Sequence, residues 1–174
     1  MKLNRRTLFA LALVAVAAAL SACDNKAGRA VAPHQIDAHS ACDLDGMLLA
    51  DYPGPKAQIF YVGDPEPHWF CDTVEMFSML LKPEQVKPVQ AVFVQDMGKA
   101  DWDSPRGNWF DARKGFYVLG SKRNGSMGPT IASFAQVSDA NAFAAREGGK
   151  VLRYNQVKPD MVDLTGGALH DRKM

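Results

Sequence analysis

Long apolar runs are scarce in this chain of 174 residues: after Leu8–Leu20 no second one follows. Even that run falls short of the roughly 20 apolar residues a transmembrane helix needs. Reactive equipment is thin as well. There are three cysteines and four histidines, and no set among them has the spacing of a tetrahedral zinc site. Catalytic serine signatures, phosphate loops and dinucleotide fingerprints are absent. The glycine-rich stretch Gly120–Gly128 lacks both the lysine-serine ending of a phosphate loop and a helix after it. Charge is balanced, with 20 basic against 19 acidic residues. No dense basic patch points to nucleic acid.

The N-terminus is informative. Lys2, Arg5 and Arg6 precede the apolar run, and Leu20-Ser21-Ala22-Cys23 supplies the small residues a signal peptidase needs. A cysteine at the cut resembles the lipobox of bacterial lipoproteins, so residues 1–22 are expected to be removed and Cys23 to be acylated. The three basic residues leave with the leader, and the mature chain becomes slightly acidic. Membrane attachment would come from the lipid. Asp24 resembles an inner-membrane retention signal, while the outer membrane stays open. Beyond the lipidated residue, Cys42 and Cys71 face an oxidising extracytoplasmic space, where a disulfide is a live alternative to two thiols.

Residues 23–38 are polar and aperiodic and read as a flexible tether. Then one plan is expected twice. In residues 39–100 the strands Gln58–Val62 and His68–Cys71 form a hairpin, Asp72 caps a helix through Leu81, and Val89–Gln95 is a further strand. In residues 101–158 the strand Gly115–Leu119 leads through a long connection, Gly120–Pro129, to Thr130–Phe134. Ser138-Asp-Ala-Asn caps the helix Ala140–Glu147, and Lys150–Asn155 is the last strand. Two ββαβ modules with antiparallel sheets make an α+β fold. Residues 159–174 read as a loose tail.

Chemistry concentrates on sulfur. In Cys42-Asp-Leu-Asp-Gly-Met47 a glycine lets the chain turn back, so a thiol and a thioether can face one point. Soft donors of this kind suit Cu(I) better than Zn(II), Ca(II) or Mg(II). Met47 equally well begins the apolar run Met47-Leu48-Leu49. Met127 is the stronger candidate, because Gly125-Ser-Met-Gly128 sits in a polar stretch with no obvious core to join. His39, three residues before Cys42, is a possible accessory ligand. Met76, Met79 and Met97 read as packing, and Cys71 as a buried structural cysteine.

The lipobox, Cys42-Asp-Leu-Asp-Gly-Met47, Trp69-Phe-Cys-Asp-Thr-Val-Glu-Met-Phe77, Asp96-Met-Gly98, Trp109-Phe-Asp-Ala-Arg-Lys114 and Tyr117–Ser121 through Gly125-Ser-Met-Gly128 together resemble the NosL family. The likeness runs from the leader to about Tyr154. It implies a lipid-anchored periplasmic copper chaperone, not an enzyme. Such a protein binds Cu(I) and delivers it to nitrous oxide reductase for assembly of the copper–sulfide centre. The resemblance also implies a fold of two ββαβ modules related to organomercurial lyase. The ligands expected from it are Cys42 and Met127, with Met47 beside them. Many members carry Cys-x-x-Cys-Gly-Met; here Asp45 stands at the second cysteine. Two other readings stay open: a thiol-dependent enzyme of organomercurial-lyase type using Cys42, and a metal-free structural lipoprotein with a Cys42–Cys71 disulfide. A homodimer or a second, copper-donating protein are further possible partners.

Overall fold

The computed structural model describes residues 31–162 and Leu164. The leader, Cys23 and Asp24 lie outside the described residues, as does most of the 159–174 segment. Among the described residues no helix is long and apolar enough to cross a membrane.

Among the described residues, seven strands and two helices follow in the order β1 (Ala57–Tyr61), β2 (His68–Phe70), α1 (Thr73–Leu81), β3 (Val89–Gln95), β4 (Trp109–Asp111), β5 (Phe116–Gly125), β6 (Gly128–Phe134), α2 (Val137–Glu147) and β7 (Lys150–Arg153). They build two antiparallel sheets, ordered β2-β1-β3-β4 and β6-β5-β7. The fold is α+β. In each sheet a central strand, β1 or β5, is paired on both sides. All five residues of β1 are buried, so this strand is covered on both faces and shows no in–out alternation.

One core joins the two sheets. Ile59, Val92 and Val94 from the first meet Tyr117, Ile131 and Leu152 from the second, with Met76 and Phe77 of α1 between them. Phe77 lies edge-on to Tyr117 at 5.0 Å and tilted to Tyr154 at 5.4 Å. Each such side chain contributes about 1.5–3 kcal/mol on burial. Polar links cross the same seam: the Met97 N–H donates to the Ser133 carbonyl at 2.9 Å. The Ser133 hydroxyl donates to the Gln95 carbonyl at 2.6 Å, and the Thr73 hydroxyl to that of Ile131. A smaller core lies under α2, where Phe143 packs on Phe134 and stacks on Trp102.

Several boundaries differ from those read in the sequence. The connection expected over Gly120–Pro129 is mostly strand: β5 runs on to Gly125, and only Ser126-Met127 form the turn. Trp102 explains the extension. Its indole N–H donates to the Asn124 carbonyl at 3.0 Å, and Arg123 lies over its ring. β4 was not anticipated. The second helix starts at Val137 after Gln136, two residues before the expected Ser138–Asn141 cap could act. β7 ends at Arg153, where a 3-10 turn over Tyr154–Gln156 begins. The tether is tied down before residue 38. The Gln58 side chain bonds the His34 backbone on both sides, at 2.9 and 3.1 Å, and Ile36 packs near Cys42. At the other end Val157 and Val162 join the main core, so the tail is anchored at its start.

Candidate metal centre

Cys42 sits on a closed turn. The Cys42 N–H donates to the Met47 carbonyl at 2.8 Å, and the Gly46 N–H to the Cys42 carbonyl at 2.8 Å. Gly46 has φ 77, a left-handed conformation that costs glycine little. The Asp45 carboxylate accepts the Met47 N–H at 3.0 Å. Asp43 clamps the turn to β2. Its N–H donates to the Trp69 carbonyl, its Oδ1 accepts the Trp69 N–H, and its Oδ2 meets His68 Nδ1 at 2.5 Å. His68 Nε2 in turn meets Asp64 at 2.8 Å.

The second half of the site comes from the start of α1. Asp72 is its N-cap, accepting the Val74 N–H at 2.9 Å, and Glu75 completes a capping box by accepting the Asp72 N–H at 3.2 Å. The box turns Glu75 inward. Its Oε2 lies 3.3 Å from the Cys42 sulfur and its Oε1 3.9 Å from that of Cys71. One ligand atom each from Cys42, Asp45, Cys71 and Glu75 falls within 4.8 Å of the others. Both cysteines are buried free thiols, so the disulfide considered above is not formed. Three of the four groups are buried and Asp45 is exposed at the mouth.

The electrostatics follow from this crowding. The neighbouring Cys71 side chain, with the backbone N–H groups of Cys71 and Leu44, brings the Cys42 pKa down to about 6. The same neighbour and burial push the Cys71 thiol well up. Burial and the neighbouring Cys42 anion push Glu75 up to about 9. Cys42 and Glu75 thus share one proton across their 3.3 Å contact, and their titrations are linked. Fully buried Lys56 donates to the Pro53 carbonyl at 2.8 Å and that of Cys71 at 3.0 Å. Burial lowers its pKa only to about 8, and the charge of Asp72 opposes the fall.

The turn between β5 and β6 closes the site from the second sheet. Thr130 donates to Asp72 Oδ1 at 2.5 Å. The Ser126 N–H favours the ionised Asp72 carboxylate. Gly125 has no room for a side chain, since a Cβ there would stand 2.0 Å from Asp72 Oδ2. The buried Ser126 hydroxyl makes no regular hydrogen bond and lies where it stabilises a Cys71 anion.

Of the residues singled out in the sequence, Cys42 is at the centre and half-buried Met47 packs in the same small cluster as both cysteines. Met127 is half-buried in the turn whose Ser126 abuts Cys71. His39 is exposed, with its N–H on the Asp37 carboxylate, and is not among the four converging groups. Glu75 was missed as a member of this cluster, and Cys71 was considered beside Cys42 only as a disulfide partner. The Asp72-x-x-Glu75 spacing was the one available signal, since a capping box fixes where the glutamate points.

Comparison with known proteins shows the family. The NosL family profile matches residues 33–162. The chain is 40% identical over 162 residues to the copper-binding lipoprotein NosL of Achromobacter cycloclastes, covering 90% of this chain and 84% of that one. It is 36% identical over 135 residues to the copper-binding lipoprotein NosL of Stutzerimonas stutzeri, covering 75% and 70%. Among solved structures, the copper chaperone NosL from Shewanella denitrificans superposes with a TM-score of 0.71 at 37% identity, over 76% of this chain and 98% of that one. The chain with its paired thiols under a capped helix belongs to the NosL family.

Proposed function

We propose that this chain is a Cu(I) carrier anchored by a lipid on Cys23 at the periplasmic side of the membrane, handing copper to nitrous oxide reductase for its copper–sulfide centre. Cys42 supplies the thiolate and Met127 the thioether, with Met47 in support. One observation carries the reading: a buried cysteine on a tight turn, packed with a methionine and beside a second thiol, with its pKa brought down to about 6. A thiolate is the form that binds soft metals. The names of the relatives, copper-binding lipoproteins and a copper chaperone, support the same cargo. Leu44 and Leu48, each 40% exposed on the turn, offer apolar contact to an acceptor reaching for the ion.

Anaerobic titration against a competing Cu(I) chelator tests the site. Cys42→Ala and Met127→Ala should both lose affinity; if both bind like wild type, the assignment is wrong. Transfer is tested by mixing loaded protein with copper-free reductase and following the metal between them.

A second reading draws on the same cluster. A thiol-dependent lyase needs a nucleophilic thiolate with an acid close by, and Cys42 with protonated Glu75 has that form. Incubation with an organomercurial and assay for the released hydrocarbon decides it; no release excludes the lyase.

A further inference from the structure

Cys71 is more than a packing residue. We infer that it is the second thiolate ligand of the same copper, so that the loaded protein holds Cu(I) between the sulfurs of Cys42 and Cys71. This rests on the reading of the chain as a Cu(I) carrier, and deepens it. The two sulfurs lie within 4.8 Å of each other. Two metal–sulfur bonds of about 2.3 Å in line span about 4.6 Å, so an ion fits between them with little movement. Cu(I) is content with two soft ligands and takes thiolate before carboxylate. Glu75 and Asp45, though within the same cluster, are left as outer groups.

The surroundings of Cys71 are those of an anion. Lys56 is fully buried, yet its ammonium rests on two carbonyl oxygens, one of them that of Cys71 itself. No carboxylate among the described residues comes within ion-pair distance of it. A buried cation needs anionic charge close by, and Asp72 and a Cys71 anion are the two foremost groups that supply it. The Ser126 hydroxyl, buried and without a regular partner, faces the same sulfur. A neutral thiol needs neither. A cuprous bis-thiolate, carrying one net negative charge, uses both.

The step balances without electron transfer. Cu(I) displaces the Cys71 proton, that proton leaves to solvent, and two copper–sulfur bonds form, one to each cysteine. Met127, on the half-buried turn, is then the third donor of the bound ion and the one exchanged first as the ion moves out.

The test is anaerobic Cu(I) competition together with copper X-ray absorption on wild type, Cys71→Ser, Cys71→Ala, Cys42→Ala and Met127→Ala, with thermal melts of each copper-free form. Wild type should show two short copper–sulfur contacts of thiolate type. Cys71→Ala should lose one of them and at least about 100-fold in affinity, the worth of one strong metal ligand. A single short sulfur contact in wild type overturns the inference, and that result needs no variant to fold. So does a well-folded Cys71 variant with wild-type affinity. If Cys42→Ala also binds like wild type, the carrier reading itself fails; if only the Cys71 results are silent, the inference falls and the carrier stands.

Discussion

The two helices begin in opposite ways, and the contrast separates the working half of the molecule from the supporting half. At the start of α1 the residues Asp72, Thr73, Glu75, Met76 and Phe77 are all nearly inaccessible, two of them carboxylic acids. At the start of α2 Gln136 offers no side-chain cap, and only Ala140 and Phe143 of the helix are buried. Both helices lie on an antiparallel sheet, and both have one apolar face. Only α1 brings ionisable groups into the interior, against the sulfurs of Cys42 and Cys71. A buried carboxylate costs several kcal/mol unless it is bonded or neutralised, so its retention at one helix and not the other marks the site.

The largest expected effects lie in titration. Cys42 should ionise with a midpoint of about 6 in the copper-free protein, read as thiolate absorbance in the ultraviolet. Cys71→Ala removes the foremost cause of the depression and should carry the midpoint back towards 9.0, the ordinary value. Each unit is worth about 1.4 kcal/mol. Phe143→Ala, in the core under α2, should leave that midpoint unmoved while costing about 4 kcal/mol of stability in denaturant melts. A shift of the thiol midpoint in Phe143→Ala would erase the distinction between the halves.

Next come the caps. Asp72→Ala removes the N-cap and strands the Val74 N–H and the Thr130 hydroxyl, for a loss of about 3 kcal/mol. The pH dependence has a definite sign. Asp72 is raised to about 6, chiefly by burial, so its contribution is full below its ordinary value of 3.8 and fades as pH rises through about 6. The slope of stability across pH 4–6 should therefore be more positive in Asp72→Asn than in wild type. Glycines give a smaller pair. Gly125→Ala drives a Cβ into Asp72 and should cost about 2 kcal/mol, whereas Gly46→Ala meets nothing within 4 Å and should cost about 1 kcal/mol of backbone strain.

The same contrast explains what could be read from the amino acids alone. Local rules sufficed for α1 and β3: Asp72 caps, Pro83 and Pro88 bound the stretch between, and both elements fall where expected. They failed where a distant residue decides. Lys122-Arg-Asn124 is polar and looks like loop, but Trp102 and Asp103 hold it as strand. Cys71 looked structural because Cys42, distant in the chain, meets Cys71 and Glu75 only in three dimensions. The turn that carries Cys42 back to Met47 was legible from spacing and glycine. The acid side was not.

The smallest effect sharpens the comparison most. Gln136 accepts no bond from the first turn of α2, and the site has no part in that end of the helix. Gln136→Asp should supply the missing cap and favour the positive end of the helix dipole, gaining about 0.5–1 kcal/mol, or roughly 3 °C in melting temperature. A gain is available there because nothing else depends on that position. At α1 the corresponding place already holds Asp72, whose carboxylate is shared among the helix, Thr130 and the turn carrying Met127. If Gln136→Asp stabilises the fold and leaves the Cys42 midpoint near 6, the second helix is scaffold. If it moves that midpoint, the two halves communicate through the shared core, and the first helix is not alone in setting the charge of the thiol pair.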